Sequence, residues 1–140
     1  MIAEIEKYVN EIDNRNDLSE SISEFNTEDL DGELVGGISI YELTDNKGEI
    51  YRVVAEVGQP NRSPANYQFY FKEDSLTFAR IVEFSESGAD TIMNSQYYFN
   101  GIELIKQIDK EIEKMDAQTV RQVSEFYRIY GKETTEYKKI

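Results

Sequence analysis

The sequence predicts an α+β domain: an antiparallel β-meander of about six strands, in three repeated hairpins, with an N-terminal and a C-terminal helix packed on one face. Three observations predict it. A hairpin pattern is written three times between residues 37 and 108, an amphipathic stretch precedes it, and a second follows it. In the first unit Ile40-Tyr41-Glu42-Leu43 leads to Ile50-Tyr51-Arg52-Val53-Val54. In the second, Gln68-Phe69-Tyr70-Phe71 leads to Phe78-Ala79-Arg80-Ile81-Val82, and in the third Gln96-Tyr97-Tyr98-Phe99 leads to Leu104-Ile105-Lys106-Gln107-Ile108. Each unit is an aromatic or aliphatic strand, a polar turn, an apolar residue and a basic residue two positions on.

Ile2, Ile5, Val9 and Ile12, separated by Glu4, Glu6, Lys7 and Glu11, form one apolar stripe and predict a helix over residues 2–14. Asn14, Asn16 and Asp17 favour caps and turns and end it. Residues 17–36 read as a mostly irregular connection. Within it, Asp17 and Glu20 suit a capping box, while the Ser19, Ser21, Ser23 alternation suits an extended segment. Strands are expected at about 37–44, 49–58, 66–72, 76–85, 94–99 and 102–108. Gln59 to Pro64, which holds both prolines, and Ser85 to Asp90 are loops between units. Ile112, Met115, Thr119, Val123, Phe126 and Tyr130 predict a C-terminal helix within residues 109–131, with Gly131 just past its end. All 140 residues form a single domain.

Asn100-Gly101 is a strong short hairpin signal, because both central positions of a type I′ turn need positive φ. Unbroken period-2 alternation from the turns predicts Tyr41 opposite Ile50, Phe71 opposite Leu76, Phe69 opposite Phe78, Tyr67 opposite Arg80, Phe99 opposite Ile102 and Tyr97 opposite Leu104. That face is aromatic and aliphatic, as a core-facing surface must be, with Phe69, Phe71, Phe78, Tyr97, Phe99 and Leu104 as its centre. It also carries Ser39 opposite Arg52 and Ser95 opposite Lys106. The other face, with Gln68, Tyr70, Gln96 and Tyr98, is polar and half-exposed.

Charge and residue types then bound the function. Asp and Glu number 28 against 15 Lys and Arg, a net charge of −13 with no basic block, which disfavours binding to nucleic acid or to an anionic membrane surface. No apolar run approaches the roughly 20 residues of a bilayer span. The start lacks the basic and apolar regions of a signal peptide, so a cytoplasmic location is the expectation. Cysteine, histidine and tryptophan are all missing from the sequence. Ser-His and Cys-His catalysis, imidazole bases and typical zinc sites therefore drop out together, and no enzyme activity or cofactor is expected. Glu28-Asp29-Leu30-Asp31-Gly32-Glu33 matches part of a calcium loop, but the later glutamate falls on Ile38, so it reads as a solvated acidic turn. Gly36-Gly37 lacks the lysine and βαβ context of a phosphate loop.

Two candidate surfaces remain. Arg52, Arg80 and Lys106 fall at one place in each unit on the apolar face, where an unpaired cation is costly. They are either paired with helix carboxylates such as Glu4 or Glu11 or with Asp109, or they line a cleft that takes a carboxylate or phosphate, with Tyr67 among its walls. Tyr51, Tyr70 and Tyr98 on the half-exposed face suit a protein interface, since tyrosine brings contact area at low entropy cost.

The string Tyr97-Tyr98-Phe99-Asn100-Gly101-Ile102-Glu103-Leu104 resembles the aromatic-Asn-Gly hairpins of MORN-variant repeat proteins, some of them toxin–antitoxin components. It is also similar to repeats of small bacterial proteins in which a Tyr-Phe-turn-Leu pattern precedes a basic residue. The resemblance spans residues 38–108. The repeat here is longer than a MORN repeat, at 26–28 residues, and lacks its glycine-rich half. What the resemblance and the charge together imply is a non-enzymatic interaction domain, immunity- or antitoxin-like, toward a basic protein partner. The competing expectation is a small-anion binding domain built on the basic row. Homodimerisation fits either.

Overall fold

The computed structural model describes residues 2–28, 34–58, 64–85, 91–101, 103–109 and 117–138. Helix α1 (Ile2–Asn14) is followed by β1 (Ser19–Glu28), β2 (Leu34–Thr44), β3 (Ile50–Gly58), β4 (Ala65–Lys72), β5 (Ser75–Phe84), β6 (Thr91–Asn100), β7 (Glu103–Asp109) and helix α2 (Ala117–Lys138). The strands form one antiparallel sheet in sequence order, β1 to β7. The α+β class and the antiparallel meander are as the sequence predicts.

Among the described residues the strands number seven rather than six. Much of residues 17–36, expected to be irregular, forms the edge strand β1, paired with β2 from Ser19↔Thr44 to Glu28↔Leu34. Strand β2 would otherwise leave a long row of N–H and C=O groups unpaired. The Ser19, Ser21, Ser23 alternation is thus the extended pattern, and Ser23 lies inward at 3% exposure.

The second correction concerns the helices, which lie on opposite faces of the sheet. One core layer joins Ile40, Val53, Phe69, Phe71, Ile81, Tyr97 and Phe99 to Val120 and Tyr127 of α2. The other joins Ile5 and Ile12 of α1 to Leu43, Tyr70, Phe78 and Tyr98. The cause is a bulge at the same place in each hairpin. Thr44↔Ile50 is followed by Leu43↔Arg52, Phe71↔Leu76 by Tyr70↔Phe78, and Phe99↔Leu104 by Tyr98↔Lys106. Tyr51, Thr77 and Ile105 are therefore skipped, and every later side chain on those strands changes face. Of the expected cross-strand pairs, Phe71 with Leu76 is present. Phe69 faces Ala79, Tyr67 faces Ile81 and Tyr97 faces Gln107 instead. Phe99 pairs with Leu104, and Ile102 lies outside the described residues. Phe78 is buried beneath α1 rather than α2, and Leu104, expected in the core, is 36% exposed.

Helix α2 does not stop at Gly131 but runs through it to Lys138. One glycine costs helix stability without removing a backbone hydrogen bond. Asp109, expected to begin the helix, ends β7. The buried face of α2 is Val120, Ser124 and Tyr127 beside Val123, whereas Phe126 from the predicted stripe is 56% exposed.

Both helices cross the strands and are fastened near the hairpin turns. Tyr8 Oη donates to the Phe71 carbonyl (2.6 Å), and Tyr98 Oη donates toward Glu6 (3.1 Å). On the other side, Arg121 donates to the Gly101 carbonyl (2.8 Å) and Arg128 to the Asp74 carbonyl (3.2 Å), while their guanidinium groups lie over Phe99 and Phe71. Glu73 and Asp74 make the two-residue turn of the β4–β5 hairpin with φ of 51° and 65°, an unusual conformation for side-chain-bearing residues. Arg128 holds that turn from α2.

Candidate functional site

Because α1 crosses the strands, it covers only the half of its face nearest the hairpin turns. The covered row is Glu20–Leu43–Arg52–Tyr70–Phe78–Tyr98–Lys106, in register across all seven strands. At its centre the rings of Tyr70 and Phe78 meet edge-on at 5.7 Å and those of Phe78 and Tyr98 at 5.1 Å. Such pairs add about 0.5–1.5 kcal/mol each beyond their burial. Asp13 closes the row from α1, accepting from the Tyr70 hydroxyl (2.9 and 3.1 Å) and from Arg52 Nη1 (2.8 Å). Burial, with Asp13 beside it, raises the Tyr70 hydroxyl well above its ordinary pKa.

The tyrosines expected as interface anchors are accounted for here. Tyr70 and Tyr98 are 4% and 3% exposed beneath α1, so neither is a surface residue. Tyr51 is the bulged residue of β3. Its hydroxyl donates toward Asp45 (3.1 Å) and Glu49 (3.2 Å), and Arg15 sits over its ring at 4.8 Å. It is part of the α1 junction.

The basic row is likewise dispersed. The bulges move Arg52, Arg80 and Lys106 to the α1 side, away from Tyr67, which stacks on Phe69 and meets the tilted ring of Tyr127 under α2. Burial pushes the Tyr67 hydroxyl up to about 12. Arg52 pairs with Asp13 and, at 3.5 Å, with Glu20, so the carboxylate pairing allowed by the sequence occurs with different acids. Lys106 is exposed on the edge strand β7. Arg80 alone sits mid-sheet, one row beyond the row that α1 covers, between Gln68 on β4 and Gln96 on β6.

That next row is Ile22–Tyr41–Val54–Gln68–Arg80–Gln96–Ile108, and beyond it lies Glu24–Ser39–Glu56–Asn66–Val82–Asn94. None of these residues is buried. Apart from Ile108, which packs against the α1 core layer, they form an open half-face that neither helix covers, apolar at Ile22, Val54 and Val82, amide-rich at its centre, and acidic toward β1 and β3. Ile22 is 48% exposed there. Past Ser39, the paired glycines Gly37↔Gly58 leave the sheet without side chains. The result is a recess of about 480 Å³ lined by Gly37, Ser39, Glu56, Gly58 and Asn66 among others. Glu56 accepts only a long contact from the Tyr41 hydroxyl at 3.5 Å, and no described cation pairs with it. The sequence contained this surface, but period-2 counting across the bulges hid it.

A second recess, of about 300 Å³, lies between the first turns of α1 and the β4–β5 turn. Its lysine, Lys72, already rests 5.4 Å from the Tyr8 ring. Among the described residues no cluster of acidic side chains converges as metal ligands do. The acidic turn from Asp29 to Glu33 lies outside the described residues. No described helix is long and apolar enough to cross a membrane.

The site and fold thus define a sheet held between two crossing helices, with half of one face uncovered by either. No family model, curated protein or solved structure matches the chain.

Proposed function

We propose that this is a non-enzymatic protein-interaction domain that receives a basic protein partner on its open half-face, with a cationic side chain of that partner entering the recess beside Glu56. The observation that carries the reading is that recess: a side-chain-free floor at Gly37 and Gly58, a carboxylate at its wall that no described cation pairs with, and exposed Ile22 and half-buried Val54 alongside. Apolar side chains interspersed with amides and bordered by acids suit a protein interface, which combines apolar contact with hydrogen bonds and a polar rim. The net charge of −13 supports the same partner chemistry, since complementary fields speed encounter and exclude wrong partners. An immunity- or antitoxin-like role in the cytoplasm is the most concrete form of the proposal, and it draws on the charge and on the hairpin resemblance.

The test is capture from cell lysate with wild-type protein and two double variants. Glu24→Lys/Glu56→Lys reverses the open half-face, and Glu73→Lys/Asp74→Lys places the same charge change at the β4–β5 turn. A basic protein retained by wild type and by the turn variant, released by salt, and lost from the half-face variant supports the proposal. Equal loss from both variants reduces it to bulk charge, and retention by the half-face variant overturns it.

A further inference from the structure

The open half-face holds an anomaly that a purely acidic docking surface does not require. Arg80 Nε is shielded from solvent and has no hydrogen-bond partner, and Asn94 Oδ1 is in the same condition. The two residues are neighbours. Arg80 pairs with Gln96, and Val82, two residues along the same strand, pairs with Asn94, so Asn94 lies diagonal to Arg80 across β5 and β6. Neither flanking glutamine satisfies the guanidinium. Gln68 Nε2 donates to Asn66 (3.2 Å), and Gln96 Oε1 is engaged by the Tyr98 hydroxyl (3.3 Å). Among the described residues no carboxylate forms an ion pair with Arg80, and Asp13 and Glu20 meet Arg52 instead. An unpaired buried donor or acceptor costs about 1–3 kcal/mol, more when charged. The resting arrangement of this pair is therefore one that an incoming ligand can improve, provided that it brings an acceptor for the guanidinium and a donor for the amide oxygen.

We propose that Arg80 and Asn94, flanked by Gln68 and Gln96, form a receptor for an acidic side chain of the partner: the carboxylate is taken by the Arg80 fork and an adjacent peptide N–H by Asn94 Oδ1. The inference rests on the reading that the open half-face meets a protein. It adds that the partner, although basic overall, presents an aspartate or glutamate at this position. Arginine suits the task because its planar fork binds a carboxylate through two parallel hydrogen bonds, and the guanidinium is weakly hydrated. Arg80 as a whole is only half-buried, and neither helix covers its row, so a ligand on this face can approach the guanidinium. Arg80 on β5 stands one residue row along and two strands across from Glu56 on β3, so the acid-seeking centre lies beside the cation-seeking recess without coinciding with it. A partner carrying a base and an acid at that separation is recognised by both, and one carrying two bases is penalised at Arg80.

The test needs no identified partner. N-acetyl-glutamate N-methylamide, which carries one side-chain carboxylate beside two peptide N–H groups, is titrated into the protein and followed by NMR at the Arg80 Nε–H and the side-chain amides. N-acetyl-glutamine N-methylamide and sodium acetate are run in parallel at equal ionic strength. Saturable shifts at Arg80, Asn94, Gln68 and Gln96 with the glutamate probe, absent with the glutamine probe and lost in Arg80→Met, support the inference. Tighter binding of the glutamate probe than of acetate assigns the Asn94 contact as well. Equal response to the glutamine probe, response retained in Arg80→Met, or no saturable shift overturns it. Arg80→Lys, which keeps the charge and the stem but not the fork, guards against misfolding of the methionine variant and is expected to weaken binding. Because the probes bypass the partner, failure here leaves the lysate experiment independent.

Discussion

Replacing Asp13 by alanine probes the joint between α1 and the sheet. Two groups lose an acceptor. The Tyr70 hydroxyl, on a residue 4% exposed, loses contacts of 2.9 and 3.1 Å, and Arg52 Nη1 loses one of 2.8 Å. Stranding the hydroxyl costs about 1–2 kcal/mol, toward the lower half of the usual range because water can follow into a site where Asp13 was 39% exposed. The ion pair adds only about 0.2–1 kcal/mol, since both partners are partly solvated and Arg52 keeps Glu20 at 3.5 Å. The sum, about 1.2–3 kcal/mol, corresponds to a fall in Tm of roughly 4–10 °C in a domain of this size. Urea denaturation of Asp13→Ala, Tyr70→Phe and the double variant measures it. Tyr70→Phe alone is expected to cost about 1 kcal/mol. The double variant should cost about 1 kcal/mol less than the sum of the singles, because the stranded hydroxyl is gone. Additivity within about 0.3–0.5 kcal/mol would refute the reasoning, since the two side chains would then not be coupled.

Three further outcomes are expected. Burial holds the Tyr8 and Tyr67 hydroxyls up at about 12 against an ordinary 10.0, so the folded state keeps these protons more tightly than the unfolded chain. The stability they contribute is complete below about pH 10 and is lost as pH rises toward 12. Tyrosinate absorbance should therefore lag behind a simple phenol titration and then rise together with unfolding, whereas a smooth titration with the fold intact would contradict the burial. Glu73→Gly relieves a φ of 51° on a residue that lines only an open recess, and is expected to leave stability unchanged or raise it by up to about 1 kcal/mol. Loss of more than that in a thermal melt would show that Glu73 itself stabilises the turn. Arg128→Ala removes the contacts of α2 with Asp74 and the Phe71 ring, and hydrogen exchange in the β4–β5 turn and α2 should quicken together while β1 and β2 stay protected.

The helices and the strands of the three hairpins are legible in the sequence, whereas β1 and the faces of the strands are not. Ile2, Ile5, Val9 and Ile12 specify α1 because a helical stripe depends on local spacing alone, and the repeated hairpins appear because turn chemistry and β-rich runs coincide. A bulge is a decision about one residue. Tyr51, Thr77 and Ile105 share no side-chain type, so nothing in their composition distinguishes a skipped residue from a paired one. Each skip exchanges inside for outside along the rest of its strand. Period-2 counting therefore puts Phe78, Arg80 and Lys106 on the wrong side, both helices on one side, and Tyr70 and Tyr98 at the surface, whereas both tyrosines lie beneath α1. Arg52, Arg80 and Lys106 stand out as the chemical anomaly of the pattern even so, because a base within an apolar run is unusual on either face. The recess beside Glu56 could not be anticipated, since it depends on Gly37 pairing with Gly58 across strands that the sequence separates by a turn. The seventh strand was hidden because Ser19, Ser21 and Ser23 are weak strand formers, and the edge of β2 supplies what they lack.

The most direct test of the central claim is hydrogen exchange of the protein free and bound to its captured basic partner. The account predicts new protection on β3 to β6 around Glu56, Gln68, Arg80 and Gln96, with α2 unchanged. Protection concentrated on the outer side of α2, around the exposed Phe126, with these strands unaffected, would contradict it.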